Sequence, residues 1–413
     1  MVLLTGCAQP LANAPADSSG QFIAASPSLW TTPPAGVSPV PTDASPLPTV
    51  PATPSASPTA TVQATPTPSQ CSAGDVLASW PLERLAEQTI VVPVDERNVA
   101  AVQAEVAAGA GGILLFGTSA PSDLGAQLHA LETFAPGGVA PFVMTDEEGG
   151  AVQRMANIVG FIPSARQMAA TMSPAQIEQL AYQLATHMRA AGVTMDLAPV
   201  LDVDGGPGPN NLDPDGTRSF SADEGIASAD GRAFAAGLAA GGVLAVVKHF
   251  PGLGGATGNT DVMAAATPSW NQLRSAGLLP FKDAVAAKVP AVMVANATVP
   301  GLTTLPASIS SAVIRGVLRG ELGFQGLIIT DSLSGAALQA AGYNVPRAAV
   351  ASLQAGADMV LFNAVPSQVA PVTNATVAAI VAAVEAGTLE KSALVSAVAL
   401  VLAAKHVNLC PAA

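Results

Sequence analysis

Eight short apolar runs recur along the chain after Cys71: Thr89–Val94, Gly112–Gly117, Pro141–Thr145, Val193–Val203, Val243–Lys248, Ala291–Ala295, Gly326–Thr330 and Asp358–Asn363. Runs of this length, broken by Gly, Pro or charge, read as buried strands. Ala-rich stretches of helical length lie between most of them, as at Pro174–Ala191, Gly225–Ala240, Pro280–Ala287 and Val345–Ala355. Regular alternation of buried strand and helix predicts a parallel sheet with right-handed crossovers. Eight repeats predict closure into an α/β (β/α)8 TIM barrel over Leu77–Leu402. An open doubly wound sheet is the other architecture such alternation permits. No Gly-x-Gly-x-x-Gly follows the first run, which disfavours a dinucleotide site.

Before Cys71 the pattern vanishes. From Ala8 to Gln70 the chain is Pro, Ser, Thr and Ala, almost without charge and without a helical or strand period. Such composition buries too little to offset the entropy of ordering. Residues 8–70 therefore read as a disordered tether ahead of a single folded domain, 71–413. Leu4-Thr5-Gly6-Cys7 resembles a bacterial lipoprotein box, in which the Cys is lipidated once the signal is removed. Residues 1–7 read as the remnant of that signal, because Met1-Val2-Leu3 is too short to be a whole one. The expectation is lipid attachment at Cys7, with the domain extracytoplasmic, either anchored to the cell membrane or secreted. The other two cysteines, Cys71 and Cys410, flank the folded region and are expected to pair, as an exported context permits.

Composition narrows the partners. The chain has 413 residues, a net charge of −13 and a sequence pI near 4.6. That argues against nucleic acid and against an anionic membrane held by charge; a membrane is expected only through the anchor. Mean hydropathy is +0.44, but no run of eighteen uninterrupted apolar residues occurs, so no transmembrane helix is predicted. Pairs at His-x-x-x-His or Cys-x-x-Cys spacing are absent, so no zinc site and no cofactor are expected.

In the predicted barrel, reactive groups belong at the C-terminal strand ends. The third run ends in Asp146-Glu147-Glu148-Gly149-Gly150, followed by Gln153-Arg154. The fourth ends in Asp202-Val203-Asp204, and its long loop carries Arg218-Ser219-Phe220. The fifth delivers Lys248 and His249, the sixth Asn296, the seventh Asp331. Carboxylates accept from vicinal hydroxyls, and Arg or Lys donates to ring substituents, so the set suits a carbohydrate. Each residue also has a structural reading: Asp146 as a helix cap, Arg154 with Asp202 as an ion pair, His249 as a satisfied core histidine. Their shared place at strand ends favours the site.

Four ordered motifs carry a resemblance: Asp146–Arg154, Arg218–Phe220, Lys248–Gly252 and Thr330–Leu333. They resemble glycoside hydrolase family 3, most nearly its single-barrel bacterial β-N-acetylhexosaminidases. The resemblance implies a retaining hydrolase of terminal β-linked hexosides, with Asp331 as nucleophile. It implies Asp146, Arg154, Arg218, Lys248 and His249 as sugar-binding residues, and Lys248 beside Asp331 as a charge favouring the ionised nucleophile. The loop after Lys248–Gly252 departs from the family. Where that branch carries an acid/base His held by an Asp, this chain has Asp261 and Asn259. Three readings stay open: Asp261 as acid/base, a catalytically weakened sugar-binding lipoprotein, or a partner-binding barrel without catalysis. Retention of the sugar-binding positions and the nucleophile disfavours the third.

Overall fold

The computed structural model describes residues Ser72–Cys410. The expectations for Cys7, for the 8–70 tether and for Cys71 lie outside the described residues. Cys410 is disulfide-bonded, and its expected partner, Cys71, lies outside them.

The eight apolar runs become eight parallel strands: β1 Ile90–Asp95, β2 Gly112–Phe116, β3 Phe142–Thr145, β4 Met195–Asp196, β5 Leu244–Phe250, β6 Ala291–Val294, β7 Leu327–Thr330 and β8 Val360–Leu361. Sequence order is spatial order from β1 to β7, with β8 beside β1. A parallel bridge, Ile329 to Met359, joins β7 to the segment entering β8 and brings the ring round. The open-sheet alternative is thereby excluded.

Period-two alternation sorts the strand side chains. Val91, Leu114, Phe142, Met144, Met195, Val246, Ala291, Met293, Leu327 and Ile329 form one cluster, which fills the barrel interior. Their neighbours Val92, Ile113 and Val143 belong to a cluster with helix residues such as Leu128 and Leu184. Val292 and Ile328 do the same with Phe281 and Ile314. The continuous hydrophobicity of the runs therefore reflects burial on both faces.

The helices begin where the chain supplies caps. Pro174–Ala190 opens on a Ser173/Gln176 capping box with Pro at its first turn. Glu224–Ala240 is capped by Asp223, and Val345–Ala355 by Asn344 with left-handed Gly356 at its end. Small residues let the helices approach closely: a Cβ on Gly237 would overlap Glu178 O of the neighbouring helix. Pro366–Glu385 is the one described helix long and apolar enough to cross a membrane by length and composition. In the fold its stripe of Val369, Val377, Ile380 and Ala383 joins the core cluster outside the barrel.

Candidate active site

The inward parity of the strands continues to their C-terminal ends and just past them. Phe142 and Met144 face inward on β3, so Asp146 follows them at the mouth. Val246 leads to Lys248, Ile329 to Asp331, Leu361 to Asn363 and Leu114 to Phe116. All five line one cavity of about 460 Å³ at the C-terminal strand ends, with Glu148, Arg154, Arg218, His249, Asn259 and Asp261. The expected nucleophile, acid/base and sugar-binding residues are all in this lining, whereas Asn296, Asp202 and Asp204 are not. A larger cavity, about 620 Å³, opens at the opposite ends of the strands beside Phe142, Leu244 and Lys405. Only the first collects interacting carboxylates and cations, at the end where this fold places its chemistry.

Lys248 Nζ lies 2.9 Å from Asp146 Oδ1 and 2.6 Å from Glu148 Oε1. Arg218 grips the same Glu148 with two bonds, Nε to Oε2 at 2.7 Å and Nη2 to Oε1 at 2.8 Å. The two cations outweigh burial and hold the Glu148 carboxyl far below the usual carboxylate range. Arg154 Nη2 stands 3.6 Å from Asp146 Oδ2 and packs over the Phe116 ring. Glu148, which the sequence pattern did not single out, is thus the hub of the cation cluster. Its signal was present, because it follows Asp146 by two residues and therefore shares its side of an extended chain.

The segment after Asp146 is a short antiparallel hairpin, Glu147–Gly149 with Val152–Gln153. Glu147 Oε1 accepts the backbone N–H groups of Arg154 and Met155, both at 2.8 Å. Asp196 Oδ1 accepts the N–H of Glu147 at 3.0 Å. These buried carboxyls fix the hairpin that presents Asp146, Glu148 and Arg154. Burial raises Glu147 to about 7 and raises Asp196 well above its ordinary value.

His249 is held from behind. Its Nδ1 lies 2.7 Å from Asp202 Oδ2, and its backbone N–H donates to the same oxygen at 3.0 Å. Asp202 therefore pairs with His249, and Arg154 with Asp146, in place of the Arg154–Asp202 ion pair. Burial lowers His249 to about 4, so the ring is neutral at neutral pH.

Asp331 N–H donates to Val294 O in register with β6, and Ser332 N–H donates to Asp331 Oδ1 at 2.6 Å. Asn296 steadies this turn by donating to Ser332 O at 2.7 Å. Burial raises the Asp331 carboxyl above its ordinary value, and the negative charge of Asp261 adds to the rise. Lys248 acts in the expected direction, favouring the ionised Asp331, but its effect is small beside burial, and its ammonium bonds Asp146 and Glu148. Asp261 is also raised, chiefly by desolvation.

The Asp261 loop is tied down rather than free to swing. Asn259 N–H donates to Asn211 O at 2.9 Å, and Asn259 Oδ1 accepts Asp261 N–H at 2.9 Å. Ala336 N–H reaches back to Asp261 O at 3.2 Å. Asn259 thus shapes the backbone of the loop and leaves the Asp261 carboxyl facing the cavity.

A parallel barrel with two interacting carboxyls and a cation-lined cavity at its C-terminal mouth defines a carbohydrate-cleaving barrel enzyme. Residues 84–404 match the glycosyl hydrolase family 3 N-terminal domain. The chain belongs to that family and is a glycosidase. Beta-hexosaminidase LpqI of Mycobacterium tuberculosis is 38% identical over 290 residues, 68% of this chain and 73% of the relative. The solved structure of M. tuberculosis LpqI superposes with a TM-score of 0.73 at 33% identity, covering 82% of this chain and 98% of that one. The β-N-acetylhexosaminidase of Beutenbergia cavernae gives 0.72 at 32% identity, covering 80% and 100%.

Proposed function

We propose that this chain is a retaining β-N-acetylhexosaminidase of cell-wall or related glycans, with Asp331 as nucleophile and Asp261 as acid/base. The observation that carries this reading is that the two carboxyls line one cavity, where the charge of Asp261 helps raise the Asp331 carboxyl. Such a pair titrates together and holds one proton over a broad range. The proton belongs on Asp261, because the Ser332 N–H at 2.6 Å favours the ionised form of Asp331.

In the first step Asp331 attacks the anomeric carbon. The glycosidic bond breaks, and the leaving oxygen takes the proton of Asp261. In the second step Asp261 removes a proton from water, the water oxygen attacks the same carbon, and the bond to Asp331 breaks. Asp146, Arg154, Arg218, Lys248 and His249 bind the sugar, with Glu148 and Asp202 holding the cations and the imidazole in place. The N-acetylhexosamine preference rests on the relatives' names. Aryl β-glycosides of different hexoses test it: the N-acetylglucosaminide should turn over fastest, and Asp331→Asn should reduce cleavage to background. A β-glucoside as preferred substrate, or a fully active Asp331→Asn, would overturn it.

We also propose that Cys7 carries a lipid and that residues 8–70 tether the barrel outside the cytoplasmic membrane. The box Leu4–Cys7 and the tether composition support this. Mass spectrometry of the native N-terminus should find acylated Cys7; an unmodified Cys7 would refute it.

A further inference from the structure

We propose that Asp202, Asp215 and His249 form a binding site for one divalent cation of the zinc or manganese kind, set beside the sugar pocket. No linear spacing announces this site, because its three members come from one strand end and the long loop after another strand. One ligand atom from each lies within 4.8 Å of the other two, and all three residues are buried. Small side-chain movements would close that spread onto one ion at bond lengths of about 2.0–2.2 Å.

Asp215 is the observation that asks for a ligand. It is 1% exposed, and neither carboxylate oxygen has a hydrogen-bond partner. The nearest guanidinium nitrogen, Arg218 Nη1, stays 3.8 Å away, and Arg218 is already engaged by Glu148. A carboxylate buried in this way is costly unless something satisfies it. The surroundings do not. Lys248 bonds Asp146 and Glu148, and the nearby Arg166 spends its guanidinium on the carbonyls of Asp204, Gly216 and Ser219. The unpartnered oxygens of Asp215 stand beside Asp202 and His249, where a cation would bind all three.

The donor set chooses the cation. One imidazole nitrogen with two carboxylate oxygens suits zinc or manganese, whereas calcium and magnesium favour all-oxygen sites. Binding is an exchange. The ion takes the place of the proton shared by His249 Nδ1 and Asp202 Oδ2, and of any proton on Asp215, and those protons leave to solvent. The charged groups facing the three ligands are Arg218, Lys248, Asp204, Glu148 and Asp331. Arg218 and Lys248 oppose a cation there, and Glu148, which bonds both, offsets them.

Isothermal titration calorimetry of the full chain, stripped with chelator and titrated with Zn²⁺ and separately with Mn²⁺, tests the site. One saturable equivalent is expected for at least one of the ions. Saturation should raise Tm. Asp215→Asn, which keeps the shape and removes the charge, should weaken binding at least tenfold. His129→Ala, at an imidazole whose side chain is 85% exposed, should leave it unchanged. A thermal melt without metal checks that Asp215→Asn folds; if it does not, His249→Gln is read in the same way. Absence of saturable binding, or wild-type affinity in the Asp215 or His249 variant, would overturn the proposal. The readout involves no turnover, so its failure is separate from failure of the hydrolase reading.

Discussion

Glu148 sits between two buried cations, and its removal shows what a paired charge is worth. Glu148→Gln leaves Lys248 and Arg218 without their shared counter-ion in a site 3% exposed on the Glu148 side chain. Breaking one partner of such a buried cluster costs about 3–5 kcal/mol. A clear fall in Tm is expected, alongside loss of sugar binding; an unchanged melt would show that solvent reaches the pair. Asp261 makes a kinetic prediction. If it protonates the leaving oxygen, Asp261→Ala should lose about 10²–10⁴-fold on poor leaving groups. Activated aryl leaving groups should be spared, and azide should rescue the second step. Equal loss on both substrates would point instead to a weakened, sugar-binding barrel. At this scale the sequence was informative where parity ruled. Asp146, Lys248 and Asp331 each stand two residues beyond an inward strand residue, so their convergence could be read. Asp202 was placed at a strand end but with the wrong partner, and Asp215 could not be placed, because loop geometry brings both to His249.

The hairpin from Glu147 to Gln153 is the element on which the cation cluster hangs. Gly149 has φ +94°, and a Cβ there would overlap Pro163 O. Gly149→Ala should therefore disturb the hairpin and displace Asp146, Glu148 and Arg154 together. The expected signature is a raised KM with a lowered Tm; an unperturbed enzyme would show that the loop adapts freely. Most strands and the principal helices fall within a few residues of their sequence positions, because Gly, Pro and caps punctuate them sharply; the fourth run, Val193–Val203, keeps only Met195–Asp196 as strand. The hairpin was not legible as one, since Asp-Glu-Glu-Gly-Gly lacks any alternation of apolar and polar residues. The Asp261 loop follows Gly254, Gly255 and Gly258, yet Asn259 and the backbone of Ala336 fasten it. Such long-range backbone bonds leave no trace in local composition.

The barrel as a whole carries several buried carboxyls raised to about 7, among them Glu87, Glu147, Asp202 and Asp358. Their folded values exceed those of the unfolded chain, so the native state binds more protons between about pH 4 and 7. The stability they contribute is present below their unfolded values and is lost as pH rises through 7. His249, lowered to about 4, opposes this between about pH 4 and 6.5, and Lys405, lowered by burial to about 7, opposes it from about pH 7 upward, but these are two groups against four. Tm should therefore be higher at pH 5.5 than at pH 7.5, and Glu87→Gln, far from the site, should flatten the difference. A Tm that rises over this interval would contradict the account. The architecture was legible because eight runs buried on both faces have few other ways to close, and because the helices are rich enough in Ala and Gly to pack closely.

The central claim is that Asp331 forms a bond to the sugar, and trapping that bond tests it most directly. A 5-fluoro N-acetylglucosaminide with an activated leaving group slows both steps and should let the glycosyl-enzyme accumulate. Peptide mapping by mass spectrometry should then place one fluorosugar on Asp331. A label on another residue, or turnover with no covalent adduct and inversion at the anomeric carbon, would contradict it.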